Sequence, residues 1–279
     1  MPLVDTAELL RAAYAARRGL LAFNVVTLEH AEAIAAGAET AGAPAILAVS
    51  ENTVRFHGGR PGPVAAAAAA VARSSGAPLA LHLDHVESTE LLHAAPAAGF
   101  GSVMFDASRL PYAENVEATA YAVRFGHGHG MWVEAELGRV GGKPGDAHTP
   151  GVRTDPAEAA EYAAATGVDA LAVAVGSSHA MTERTAVLDH ALIAELRRAL
   201  SVPLVLHGSS GVPDGELRRA VGAGMTKINV GTALNAAFTG AVRAALAGDA
   251  RTVDPRGCLR TAREAMAETV AAFLKAVAP

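Results

Sequence analysis

The sequence has one cysteine, Cys258, in 279 residues. That excludes a disulfide scaffold and suits a reducing compartment such as the cytoplasm. It also has no block of basic residues, and its net charge is −5. A nucleic-acid groove needs a basic surface, so nucleic acid is not an expected partner. Long hydrophobic runs are missing as well. The N-terminus, MPLVDTAELL, carries Asp5 and Glu8 and no apolar core of signal-peptide type. The longest small-apolar run, VAAAAAAVA at 64–72, is far too short to span a bilayer and reads as helix. No membrane partner is expected. Lysine is scarce too: only Lys143, Lys227 and Lys275 occur. Lys143 falls in a loop, Lys227 at the bottom of the last strand, and Lys275 in the C-terminal tail. A Schiff-base enzyme needs a lysine at the reacting carbonyl. None is placed for that, so carbonyl chemistry here requires a metal.

What the chain has is apolar residues, 51% of it, in a regular alternation. Short strand-like runs lie at 20–25, 44–50, 78–84, 102–107, 132–137, 170–176, 203–208 and 227–231. Between them lie alanine-rich helical segments such as TLEHAEAIAAGAETAG, several ending in glycine, a common helix stop. Several of the strands lack polar alternation, as strands buried on both faces do. Eight β-then-α units in about 250 residues predict a (β/α)8 TIM barrel, with an open doubly wound sheet as the alternative. No linker interrupts residues 1–279, so one domain is expected. The tail DPRGCLRTAREAMAETVAAFLKAV reads as one extra helix.

In such a barrel the chemistry sits where the strands end. The segment PLALHLDHVES, at 78–88, puts His82, Asp84 and His85 at the end of the third strand. His179 follows the sixth strand and His207 ends the seventh. Three imidazoles from separate strands at one rim suit a catalytic zinc with an open coordination position. Strand alternation puts His82 and Asp84 on one face and His85 on the other. Asp84 and His85 can both reach the rim only if the strand bends or ends there. His82 is then one layer deeper, a core histidine. His30, His93 and His190 lie in helices. His127 and His129 precede the fifth strand, at the opposite end of the barrel, and their spacing alone is too unspecific to name a metal site. His57 and His148 lie in loops on the rim side. The loop HGSSG supplies Gly208, Ser209 and Ser210, and the eighth strand ends in Asn229, Val230, Gly231 and Thr232. Glycines, hydroxyls and free amides after strands seven and eight are the usual phosphate cradle of this barrel.

These segments resemble the class II, zinc-dependent ketose-bisphosphate aldolases. The resemblance runs through AFNV, HLDH, SVMFDASRLPYAEN, VEAELG, LAVAVGSSH, PLVLHGSSG, KINVGT and DPR, in that order. FDAS and NVGTAL lean toward the tagatose-bisphosphate branch, sister to the fructose-bisphosphate one. The resemblance implies zinc on His85, His179 and His207, with Asp84 as the general acid–base at the C4 hydroxyl. It implies dihydroxyacetone phosphate on Gly208–Ser210 and Asn229–Thr232, with Na+ or K+ at the phosphate. Asn24 and Ser50 would lie beside the substrate and Glu136 near the metal. Arg256 would reach a distal phosphate, in a neighbouring subunit of a homodimer or tetramer. The partner implied is a sugar phosphate.

Three departures stand out. The loop after VEAELG reads GGKPGDAHTPG and lacks the acidic pair usual in such enzymes. Asp146 or His148 is the available substitute for proton exchange on the enediolate. Ala180 follows His179 where the resemblance predicts glycine, and Arg109 stands where histidine is common. Two competing readings remain. A zinc hydrolase on the same barrel would carry a His-x-His pair on its first strand, which LLAFNV lacks. A non-catalytic sugar-phosphate-binding homologue would not need Asp84 and three histidines. Other phosphorylated sugars or deoxy-sugar acids are alternative aldol substrates.

Overall fold

The computed structural model describes residues 3–138, 152–249 and 251–278. Eight strands close into a barrel: β1 (Leu20–Asn24), β2 (Ala45–Ser50), β3 (Leu79–Val86), β4 (Ser102–Phe105), β5 (Trp132–Leu137), β6 (Ala170–Val173), β7 (Leu204–Leu206) and β8 (Met225–Val230). Each pairs in parallel with the next, and β8 returns to β1. The barrel expected from the sequence is therefore present, and the open sheet is excluded. Helix α1 (Thr6–Ala16) precedes β1. The helices α2 (Leu28–Ala41), α3 (Glu51–Phe56), α4 (Pro61–Ser74), α5 (Thr89–Ala94), α6 (Tyr112–Gly128), α7 (Pro156–Thr166), α8 (His190–Ala199), α9 (Asp214–Ala223) and α10 (Thr232–Gly248) follow their strands. The tail forms α11 (Pro255–Val277), as its periodicity predicts.

Two apolar layers hold this together. The outer one joins the outward strand faces to the helices, and includes Phe23, Leu47, Leu83, Val133, Leu206 and Ile228. The inner one fills the lower barrel with Leu20, Ala22, Ile46, Ala48, Ala80, Trp132, Ala170, Ala172 and Val205. Helix α1 closes that end with Ala7 and Leu10. Asp5 caps α1 by accepting from the Ala7 amide, and Thr6 donates to the Leu81 carbonyl at 3.0 Å. Leu10 has no exposed surface, so truncating it to alanine should cost about 2–5 kcal/mol. Helix α11 lies against α2 and α10. Its approach to α2 requires Gly37, where a Cβ would lie 2.6 Å from Val270. Among the described residues, no helix is long and apolar enough to cross a membrane.

Several strand bounds differ from the sequence reading: β3 runs on to Val86, β4 stops at Phe105 and β7 at Leu206. Two further shifts bear on the site. β6 ends at Val173 rather than at residue 176, because 174–176 already turn toward the rim loop. β8 begins at Met225, two residues before the expected start. Lys227 therefore does not lie at the bottom end. It sits inside the barrel with no exposed surface, one inward position below Asn229. The alanines lining the inner layer leave room for its side chain.

Candidate active site

β3 settles how adjacent residues share one rim. Its pairing with β4 shifts between Leu83 and Val86, and His85 takes a left-handed backbone, φ 50°. The extra residue of a bulge re-aims the side chain that follows it. Asp84 keeps its inward direction and His85 turns to join it. His82 stays one layer below, without exposed surface, its Nδ1 2.8 Å from Ser102 Oγ. It is the core histidine expected.

His179 reaches the rim from the loop after β6. That loop lies hard against Gly208, where a Cβ would be 2.5 Å from the Ser178 carbonyl and 3.0 Å from the His179 amide. Gly208 also has φ 69°. Only glycine fits both demands, and its absence of side chain lets His179 stand beside His207. The ring centroids of His85, His179 and His207 are 4.6–5.8 Å apart. One nitrogen from each lies within 4.8 Å of the others, a spacing that could hold a metal ion. His85, Asp106 and Glu136 form a second such group.

The protonation of two of these rings follows from their outer partners. His85 Nδ1 is 2.8 Å from Asp106 Oδ2. His207 Nε2 is 3.1 Å from Glu134 Oε1. A carboxylate only accepts, so each of these contacts favours the tautomer with its proton on the outer nitrogen. The inner nitrogens, His85 Nε2 and His207 Nδ1, face each other at 3.0 Å. Two lone pairs at that distance repel unless a proton or a cation lies between them. Glu136 Oε2 is 3.7 Å from His207 Nδ1, and Asp84 Oδ2 is 3.9 Å from His85 Nε2. The donor set, imidazoles ringed by carboxylates, fits zinc.

Asp84 is buried, with the Asn229 amide nitrogen 3.5 Å from its Oδ1. Burial opposes its charge, but His85, His82 and Lys227 together hold its carboxyl well below the usual range. Under it lies a buried chain: Glu134 Oε2 is 2.7 Å from Lys227 Nζ, which is 3.2 Å from His82 Nε2. Burial also opposes the charge of Glu134. Lys227 and the His207 hydrogen bond outweigh it and hold the carboxyl at about 2. Burial and the neighbouring Lys227 lower the pKa of His82, which stays neutral and accepts from the lysine.

Above these groups opens a cleft of about 750 Å³. Asn24, Ser50, Asp84, His85 and His179 line it. So do Gly208, Ser210, Asn229, Gly231 and Thr232 on the opposite side. Ser210 Oγ accepts from the Ala233 amide, tying the β7 loop to the first turn of α10. Ser50 Oγ accepts from the Thr53 amide as the cap of α3, so its hydroxyl has a structural task as well. Ser209 is buried and donates to the Leu206 carbonyl, and the Val230 side chain lies in the outer core. Neither lines the cleft. Glu136 is buried beneath it. Arg256 is exposed at the start of α11, paired with Asp254, and does not line the cleft within one chain. Asp146 and His148 fall outside the described residues. His127, 2.9 Å from Asp169, lies at the opposite end of the barrel, as expected.

The sequence reading missed Asp106, Glu134 and Lys227, and the cleft residues Asn52, Arg55 and Phe56. One signal was available for Glu134. In VEAEL two glutamates stand two apart in a strand, on one face, and both need partners if that face is buried. Asp106 directly follows β4, as Asp84 nears the end of β3. The others carry no motif.

The family model for class-II fructose-bisphosphate aldolase matches residues 4–278. A fructose-bisphosphate aldolase of Geobacillus stearothermophilus is 41% identical over 272 residues, covering 97% of this chain and 95% of that protein. A probable fructose-bisphosphate aldolase of Bacillus subtilis (strain 168) has the same identity and coverage. Among solved structures, the YdjI aldolase from Escherichia coli K12 superposes with a TM-score of 0.83 at 31% identity, over 99% of this chain and 97% of that one.

Proposed function

The chain belongs to the class-II fructose-bisphosphate aldolase family, and from that premise we propose that it reversibly cleaves a ketose 1,6-bisphosphate of the fructose or tagatose type. The products are dihydroxyacetone phosphate and an aldehyde such as glyceraldehyde 3-phosphate. The chain is thus a carbon–carbon lyase of carbohydrate metabolism. One observation carries the site reading: two imidazole nitrogens face each other at 3.0 Å, each ring with a carboxylate behind it, beside a third histidine and Asp84.

Zinc on His85, His179 and His207 would supply a Lewis acid for the ketone and hydroxyl oxygens and take up the charge left when the C3–C4 bond breaks. Asp84 removes the C4 hydroxyl proton in cleavage and returns one to the aldehyde oxygen in condensation. A carboxyl kept ionised by its neighbours is suited to the first step. Asn229 and Asn24 orient the sugar backbone, with Ser50 beside them. Gly208–Ser210 and Asn229–Thr232, at the first turn of α10, receive the phosphate, with Na+ or K+ as its counter-ion. Ser209 and Val230 act there through backbone alone. Glu136 stands behind the metal. Asp146 or His148 exchanges the proton of dihydroxyacetone phosphate. Arg256 serves a distal phosphate only across a subunit boundary, in a homodimer or tetramer. The whole chain, 1–279, works as one domain, and its lone cysteine suits the cytoplasm.

The test is incubation of the zinc-loaded protein with fructose and tagatose 1,6-bisphosphate, reading triose phosphate. Activity should vanish with a chelator and return with zinc. Borohydride added with substrate should leave no adduct on any lysine. A reduced adduct on Lys227 would overturn the metal reading. Cleavage of a phosphorylated deoxy-sugar acid alone would overturn the substrate but not the reaction class.

A further inference from the structure

The buried chain beneath the histidines is long for a mere ion pair. Each oxygen of Glu134 has one partner: Oε1 faces His207 Nε2 at 3.1 Å, and Oε2 faces Lys227 Nζ at 2.7 Å. All three side chains are without exposed surface. Lys227 is in turn 3.2 Å from His82 Nε2, and His82 Nδ1 is 2.8 Å from Ser102 Oγ, which donates to the Leu81 carbonyl. The chain thus runs from a rim imidazole down to the barrel backbone, with donors and acceptors matched along it.

We propose that Glu134 is a positioning residue for the metal site: it holds the proton of His207 on Nε2, so that Nδ1 presents its lone pair to zinc, and Lys227 fixes the carboxylate that does so. The inference rests on reading His207 as a metal ligand. Imidazole has two tautomers, and only one leaves Nδ1 free. Asn229 contests the choice. Its amide nitrogen lies 3.3 Å from the same His207 Nε2 and could donate to it. That arrangement would put the Nε2 lone pair against the Glu134 carboxylate, which repels it, and would leave the proton on Nδ1, where it blocks the metal. The carboxylate decides the tautomer, and Asp84 Oδ1, 3.5 Å from the Asn229 amide nitrogen, is there to accept from it. Lys227 matters because Glu134 would otherwise be a lone buried charge, and such a charge is driven to protonate or to drag its surroundings. His85 has the same arrangement with Asp106 near the surface of the site. His207 has its version inside the barrel, where no water can take the carboxylate's place.

The alternative is that Glu134 and Lys227 only fill the barrel. Two measurements separate the readings. The first uses the wild-type metal-free protein labelled with 15N-histidine, at about pH 8, where imidazole is neutral. Long-range proton–nitrogen spectra, assigned with His207→Gln, should show His207 protonated on Nε2. Protonation on Nδ1 overturns the proposal. The second is the double variant Glu134→Met with Lys227→Met, which removes both charges at similar volume and so keeps the core filled. It should fold with the wild-type melting temperature or higher, yet bind zinc about 10–100-fold more weakly in chelator competition. With cobalt in place of zinc, its visible bands should shift. A folded variant with unchanged zinc affinity and cobalt spectrum overturns the proposal. If the variant does not fold, the wild-type tautomer decides alone. Zinc stoichiometry of the wild type tests the ligand reading separately. A protein that binds no zinc but carries Nε2–H on His207 retires that reading and keeps the Glu134 contact.

Discussion

Asp84 and His85 are neighbours in the chain, yet their side chains have different surroundings. Asp84 is enclosed by positive and hydrogen-bonding groups, while His85 has the Asp106 carboxylate on Nδ1 and His207 facing its Nε2. Replacing Asp84 by asparagine should keep zinc bound, because His85, His179 and His207 form a metal-holding group without it. Cleavage should fall by about a hundredfold or more, the scale of a lost general acid–base. Turnover at the wild-type rate would remove Asp84 from the proton-transfer role. Replacing His207 by alanine should remove zinc and activity together, since it deletes one of the three converging nitrogens. Metal analysis and a triose-phosphate assay on the same sample check both. His82 is the contrasting case. It is the same residue type three positions earlier, but its two nitrogens are already committed to Ser102 and Lys227.

At the scale of elements, the rim depends on two places where the backbone leaves ordinary geometry. One is the left-handed His85 in the β3 bulge, and the other is the pair of loops joined at Gly208. Gly208→Ala should destabilise the protein by about 1–3 kcal/mol, through its left-handed φ and the clash with Ser178. It should also weaken zinc binding, because the loop it displaces carries His179. Denaturant midpoints and chelator competition would report the two effects. Ala180, next to His179, is left-handed as well, φ 58°. An alanine there carries strain that glycine would not. Ala180→Gly should therefore raise stability by about 0.5–1 kcal/mol, the relief of strain less the added freedom of the unfolded chain. A loss of stability in urea titration would contradict the strain. The barrel itself was legible from sequence. Runs such as LAVAV announce strands buried on both faces, and the ends of those runs announced His85, His179 and His207. The bulge was legible only as a conflict, since alternation forbids Asp84 and His85 on one face. What was not legible depends on distant pairing. Glu134 and Lys227 stand 93 positions apart, and each looks unaccountable until the closing of the barrel brings β5 and β8 across from each other. Lys227 lies higher than the sequence predicts, because β8 starts at Met225, two residues before the apolar run shows it.

For the whole molecule, the interior of the barrel is a stack with apolar residues and α1 at the bottom, a charged pair in the middle, and the histidine rim on top. The middle layer makes folding stability depend on pH. The Glu134 carboxyl has an ordinary value of 4.5 and is held at about 2 in the folded chain. The unfolded chain thus binds the proton first as pH falls. Its contribution is fully present above about 4.5 and is lost progressively toward 2. Asp84 shifts in the same direction and adds to the same acid loss. Metal release on acidification would confuse the measurement, so it belongs on the metal-free protein. Urea unfolding of that protein should show stability falling steeply between about pH 4.5 and pH 2. In the Glu134→Met, Lys227→Met double variant the fall should be shallower, because one of the two fully buried depressed carboxyls is gone and its lysine with it. The variant should also match or exceed the wild type in acid while trailing it in zinc affinity at neutral pH. If both proteins lose stability with the same slope, the buried pair is not what ties the barrel to pH, and the acid sensitivity belongs to the carboxylates of the rim and surface.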